Sequence, residues 1–106
     1  MVVERFSVYL VALDPTVGSE VAKKRPCVVV SPDEMHQNIR TVIIAPMTSE
    51  RKRYPTRVPC RFAGKSGEIM LDQIRTVDQS RLIKRVGMLD AAASRSTREG
   101  LIEMFR

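Results

Sequence analysis

A chain of 106 residues with 43% hydrophobic and 28% charged side chains has the length of one globular domain and the composition of a soluble one. Its longest uninterrupted apolar run, Val8 to Leu13, is too short to cross a bilayer, and the residues before it fit no leader peptide, so a cytoplasmic protein without membrane association is expected. The net charge is +6 and the excess is local: from Arg40 to Lys65 seven Lys and Arg stand against Glu50 alone, a pattern that fits a polyanion-binding surface and equally a solvated, solubilising one.

Taken along the chain, short Val- and Ile-rich runs alternate with turn residues. Ser7 to Leu13 predicts a first strand, followed by the loop Asp14-Pro15-Thr16-Val17-Gly18-Ser19. Pro26 to Ser31 predicts a second, whose unbroken valines fit burial on both faces. Pro32-Asp33-Glu34 opens a polar connection with room for one helical turn, and places His36 as a solvated loop side chain. Thr41 to Thr48 is the third strand. Thr56 to Phe62 is the fourth, with Thr56, Val58, Cys60 and Phe62 on one face and Arg57, Pro59 and Arg61 on the other. Pro59 cannot donate to a ladder, which assigns this strand to an edge. Gly64-Lys65-Ser66-Gly67 reads as a turn, Glu68 to Leu71 as a fifth strand and Leu82 to Leu89 as a sixth. Asp90 is placed to cap a helix running to about Phe105. Gly100 costs that helix about 1 kcal/mol against Ala, so it depends on tertiary contacts. The expected fold is mainly β (α+β): a small, bent sheet or partly open barrel with a C-terminal helix, forming one domain over residues 1–106.

Several site classes drop out. Cys27 and Cys60 are too far apart for a CxxC pair, and His36 is the sole histidine, so neither a metal nor a redox centre is expected. No two glycines form the GxG of a dinucleotide loop, and Pro59 stands where a phosphate loop ending in Gly64-Lys65-Ser66 needs glycine. No cofactor is expected. Aromatic residues make up 5% of the chain, too few for a base-stacking platform.

Three segments carry candidate chemistry: the loop Asp14 to Glu20, the charged lead-in Lys24-Arg25-Pro26, and the strand end Ala45-Pro46-Met47-Thr48-Ser49. Cleaving RNA through its own 2′-OH requires a group that takes the 2′ proton, a group that stabilises charge on phosphorus, and help for the 5′ leaving oxygen. Arg25 suits the phosphate, because a guanidinium matches two oxygens and stays charged. Thr48 adds a hydroxyl donor, and Glu20 is a candidate base. Read alone, these residues fit equally a turn, a surface cation and a strand-end hydroxyl.

The same residues, in order and spacing, resemble the MazF/PemK toxins. The likeness runs through Leu13-Asp14-Pro15-Thr16-Val17-Gly18-Ser19-Glu20, Lys24-Arg25-Pro26, Val42 to Ser49, Tyr54-Pro55-Thr56, Leu71 to Asp78, Arg81-Leu82 and Arg85-Val86-Gly87. The resemblance implies an SH3-like β-barrel of the MazF/PemK/CcdB type and a homodimeric, metal-independent endoribonuclease that cuts single-stranded RNA. Its partner would be a cognate antitoxin with an acidic, disordered tail. It further implies that Arg25 and Thr48 hold the scissile phosphate, that Glu20 is a candidate base, and that Ser19, Ser49, Asp72 and Gln73 line the RNA groove. Thr16 joins that set as a second loop hydroxyl, and Lys52 and Arg53 as the basic loop's RNA contacts. The alternative on the same barrel is a non-catalytic binder, for instance a gyrase poison. The chain departs from the family at Phe6-Ser7, where Gly-Asp is common, and at Val21-Ala22-Lys23-Lys24, where a Gln and a Gly often stand.

Overall fold

The computed structural model describes residues 2–13, 18 and 23–106. Among the described residues seven strands run in chain order as β1 (Ser7–Ala12), β2 (Lys24–Val29), β3 (Thr41–Thr48), β4 (Arg57–Phe62), β5 (Lys65–Met70), β6 (Arg75–Asp78) and β7 (Leu82–Met88). Helix α1 (Asp33–Asn38) joins β2 to β3, and helix α2 (Ala91–Met104) closes the chain. Every strand pairing is antiparallel, in the order β4-β5-β3-β2-β1-β7, with β6 attached to β3.

Strand β3 is the hub because it changes partners along its length. Thr41 to Ile44 pair with β6, Ile44 to Pro46 pair with β2, and Met47 and Thr48 pair with β5. Pro46, which has no N–H to give, falls in the gap between the β6 and β5 pairings. The sheet curls until its two ends meet: a Cβ added at Gly87 of β7 would lie 2.7 Å from the Phe62 ring of β4. Glycine at that position lets the ring close the curl, which makes the partly open barrel expected from the strand pattern.

Alternation along the strands splits the interior into two clusters. Tyr9, Val11, Cys27, Val29, Val42 and Ile44 share one, and Val8, Val28, Ala45, Met47, Val58 and Ile69 share the other. Both sides of β2 are therefore buried, as its run of valines requires. Helix α2 covers the second cluster. Gly100 brings the helix against Leu71 and Val58, where a Cβ would come within 2.7 Å of the Leu71 methyl, so its propensity cost is offset by close packing. The Asp90 carboxylate accepts the Ala93 N–H at 2.8 Å, which is the expected cap.

Four local expectations need correction. The turn lies at Ala63-Gly64, both with positive φ (52° and 77°), and Lys65, Ser66 and Gly67 belong to β5. A two-residue hairpin loop matches strand twist when both residues are left-handed, and that geometry extends the strand backwards. Strand β2 begins two residues earlier than its apolar run, because Lys24 and Arg25 pair with Ala12 and Val11. β6 was not expected at all. His36 is a half-buried residue of α1: its Nδ1 lies 2.8 Å from the Val3 carbonyl and its Nε2 2.6 Å from Ser31 Oγ. Ser31 Oγ also accepts the Ile43 N–H, so this histidine ties the N-terminal segment to β3.

At Phe6 the backbone is left-handed (φ 69°), a conformation natural to glycine. The strain, about 1–2 kcal/mol for a side-chain-bearing residue, is offset by burying the ring, with the Arg98 guanidinium 5.3 Å above it.

Candidate active-site cleft

Strand register brings the two leading candidates together. Cys27 lies opposite Pro46, Val28 opposite Ala45 and Val29 opposite Ile44. Arg25 of β2 and Thr48 of β3 each lie two residues beyond the Cys27–Pro46 pair, at the same end of the two strands. Both line one open cleft of about 370 Å³, together with Ser49, Pro26 and Met47. Its far wall comes from the β4–β5 hairpin: Cys60, Phe62, Ala63, Lys65, Ser66 and Gly67. Sequence reasoning had assigned none of these hairpin residues to the site, although alternation already put Cys60 and Phe62 on one face of β4.

Arg25 is half-buried. Its Nε–H is buried and meets no acceptor among the described residues. A buried donor left without a partner costs free energy, and a ligand oxygen would relieve it. Thr48 Oγ1 accepts the Glu50 N–H at 3.2 Å, so its own proton remains available to donate. The Thr48 backbone is fixed from the other side by Gly67, whose missing Cβ leaves room for the Thr48 carbonyl.

The loop between β1 and β2 carries three further candidates, Thr16, Ser19 and Glu20, and all three lie outside the described residues. The stem of that loop is described. The Leu13 N–H donates to the Lys23 carbonyl at 2.9 Å. Arg75 Nη1 donates to the Leu13 carbonyl at 3.0 Å, and Arg81 Nη1 to the Ala12 carbonyl at 3.1 Å.

The remaining candidates sit outside the cleft. Lys52 and Arg53 are exposed on the connection from β3 to β4. Asp72 and Gln73 lie on the 3-10 turn Leu71–Gln73, Gln73 being half-buried. Asp72 is bound by Arg57, with Nε at 2.7 Å and Nη2 at 3.2 Å, and by the Thr56 hydroxyl at 3.2 Å. Burial alone would raise its carboxyl, but the bonds from Arg57 outweigh that and hold it below the ordinary carboxylate value. Arg57 reaches a second acid, Glu68, which is 1% exposed. Sequence reasoning missed this pair. Burial again works to raise the Glu68 carboxyl, and the N–H groups of Arg53 and Lys52 with the Arg51 side chain bring it below its ordinary value. Both cysteines are free; burial pushes the Cys27 thiol up to about 12 and raises that of Cys60. Among the described residues no three His, Cys, Asp or Glu side chains converge in a metal-binding group.

The chain matches a family described as PemK-like, MazF-like toxin of type II toxin-antitoxin system over residues 4–105. It is 35% identical over 96 residues to Endoribonuclease EndoA of Bacillus subtilis (strain 168), covering 85% of this chain and 83% of that one. The crystal structure of MazF (Form-I) from Deinococcus radiodurans superposes with a TM-score of 0.86 at 25% identity, covering 99% and 97% of the two chains. An endoribonuclease in complex with its cognate antitoxin from a Mycobacterial species has the same fold, with a TM-score of 0.82 at 20% identity over 97% and 94% of the chains.

Proposed function

This chain belongs to the PemK-like, MazF-like toxins of type II toxin–antitoxin systems, and from that membership we propose that it is an endoribonuclease whose reaction takes place in the cleft between Arg25 and Thr48. The substrate is single-stranded RNA, cut without a metal ion. The 2′-OH attacks the adjacent phosphorus, the bond to the 5′ oxygen breaks, and the products carry a 2′,3′-cyclic phosphate and a 5′-OH. The single observation that supports this reading is that Arg25 and Thr48, from two neighbouring paired strands, line one cleft.

Each group then has a role. The Arg25 fork binds two non-bridging oxygens, and its buried Nε–H supports that role because it has no acceptor to give up among the described residues. The Thr48 hydroxyl donates to the same oxygens, with its lone pair already engaged by Glu50. Donors fixed before the reaction lose little to reorganisation as charge develops on phosphorus. Glu20 is the proposed base that takes the 2′ proton. Thr16, Ser19 and Ser49 are the hydroxyls offered to flanking nucleotides, Asp72 and Gln73 form part of the groove wall, and Lys52 and Arg53 attract the phosphates beyond the cut.

The proposed partner is a cognate antitoxin whose acidic segment competes for the same basic surface, which a net charge of +6 supports. A homodimer is proposed as the working form. Ile102 of α2 and Phe105 just beyond its end are 56% and 70% exposed, apolar surface of the kind a second copy covers. Among the described residues no helix is long and apolar enough to cross a membrane, and the proposed site of action is the cytoplasm, where messenger RNA is found.

The deciding experiment maps fragment ends from a long single-stranded RNA incubated with purified protein in excess EDTA. Discrete cuts are expected from the wild type. In Arg25→Ala they should fall by at least about a hundred-fold, the scale of losing one transition-state donor, with the thermal unfolding curve unchanged. Wild-type cutting by Arg25→Ala would remove Arg25 from the site. Intact RNA from two unrelated substrates would favour the non-catalytic binder.

A further inference from the structure

The connection from β3 to β4, residues 49–56, leaves the cleft at Ser49 and carries Arg51, Lys52 and Arg53 in succession. Three adjacent cations repel one another and favour an open, variable loop. Here the backbone is gathered around one carboxylate. Glu68 Oε1 accepts the Lys52 N–H at 3.1 Å and Oε2 the Arg53 N–H at 2.9 Å. Arg51 Nε stands 3.5 Å from Oε2, and Arg57 Nη1 3.8 Å from Oε1. Consecutive N–H groups turned to one side form a concavity for an anion, and the left-handed Arg53 (φ 60°) belongs to that geometry. The anion in this concavity is supplied by the chain itself.

The same cluster reaches the opposite flank. Arg57 lies between Glu68 and Asp72, with its guanidinium 5.0 Å over the Tyr54 ring. Glu68 is paired with Thr48 in the β3–β5 register, so it is anchored to the strands that build the cleft, yet it is not among the residues lining the cleft.

We infer that Glu68 is a positioning residue for RNA: a buried internal counter-ion that folds residues 49–56 into one shape and presents Lys52 and Arg53 beside the cleft, with Arg57 extending its hold to Asp72. This inference rests on the ribonuclease reading above. It also runs against the effect of charge alone. Glu68→Gln makes the chain one unit more positive, so electrostatic attraction by itself predicts tighter RNA binding and a steeper salt dependence. Positioning predicts the reverse.

The test uses the full chain, a short fluorogenic RNA containing a mapped cut site, and a salt series. For Glu68→Gln, KM should rise about ten-fold, the equivalent of roughly one lost phosphate contact, while kcat stays within about three-fold. The slope of log KM against log salt should become shallower by about 0.7 or more. The Lys52 and Arg53 amides should exchange hydrogen faster than in the wild type. In a Lys52→Ala/Arg53→Ala background, Glu68→Gln should raise KM no further. An unchanged or lower KM, or a full additive effect in that background, would overturn the inference. If Glu68→Gln does not fold, wild-type exchange still decides: those two amides should be protected, and exchange at unfolded-chain rates would show that the clamp does not hold. That measurement needs no RNA, so failure of the ribonuclease reading is separable from failure of the loop clamp.

Discussion

Gly67→Ala isolates the placement of Thr48 from the identity of its side chain. An added Cβ would lie 2.1 Å from the Thr48 carbonyl oxygen, 3.1 Å from its carbon and 3.2 Å from the Ser49 Cα. All three are backbone atoms, so none can swing aside, and Cβ atoms essentially never approach within 3.0 Å. The end of β3 must move by about 1 Å, whereas Arg25 is held from the other side by its pairing with β1. A misplacement of ~1 Å at a reacting centre costs about a hundred-fold in rate, or roughly 2.7 kcal/mol of barrier. The accompanying overpacking should remove about 1–3 kcal/mol of stability, which a typical domain survives. The assay is single-turnover cleavage with enzyme in excess, run beside thermal unfolding followed by circular dichroism. Gly64→Ala is the control. Its φ is 77° but nothing lies within 4 Å of the added carbon, so it should lose about 1 kcal/mol of stability and keep its rate. Wild-type cleavage by Gly67→Ala would refute the reasoning, because it would mean that the position of Thr48 does not govern the chemistry. Equal rate losses in the two glycine variants would refute it as well, by pointing to stability alone.

Asp90→Ala should lower stability by about 1 kcal/mol, the usual worth of a side-chain cap, read as a shift in the urea midpoint with RNA cleavage unaffected. Because Glu68 and Asp72 are both held below their unfolded values, the stability they contribute is present above the unfolded carboxyl range and is lost as pH falls through their folded values. The urea midpoint should therefore hold from pH 7 to about pH 5 and decline below about pH 4, less steeply in Asp72→Asn; an identical decline in that variant would contradict the assignment. With its thiol pushed up to about 12, Cys27 should resist iodoacetamide at pH 8 in the native protein and react once urea unfolds it, as followed by mass spectrometry.

What the sequence makes legible is what local pattern controls. Strands β1, β3, β4 and β7 follow from Val and Ile alternation, Pro59 places β4 at an edge, and Asp90 starts α2, all from neighbouring residues. Strand β6 stays hidden because Arg-Thr-Val-Asp offers one apolar side chain, Val77, and its strand conformation is imposed by pairing with β3. His36 reads as solvated because its partners, Val3 and Ser31, are joined to it only by folding. In the site, residue types single out Arg25 and Thr48, but their juxtaposition is a matter of register, which composition does not encode. Glu68 is the clearest case. It reads as the polar start of a strand, and nothing near it in sequence signals burial, since Lys52 and Arg53 come to it across fifteen or more positions.

The cleft and its surroundings are therefore positioned by two different physical means. Arg25 and Thr48 sit on paired strands, where a ladder of main-chain bonds restricts them without help from side chains. That is the rigidity a transition state requires, because its stabilisation falls off within fractions of an ångström. The described connecting residues around them are held by charge-assisted bonds from distant side chains. Glu68 accepts from the N–H groups of residues 52 and 53, while Arg75 and Arg81 donate to the carbonyls of Leu13 and Ala12 at the stem of the loop that bears Glu20. A carboxylate fits where donors need an acceptor, and guanidinium groups fit where carbonyls need donors. This division explains why an Arg-rich chain keeps one acid buried in its most basic region: Arg51 and Arg57 turn to that acid, while Lys52 and Arg53 meet it through their backbone N–H groups and keep their side chains exposed toward a polyanion.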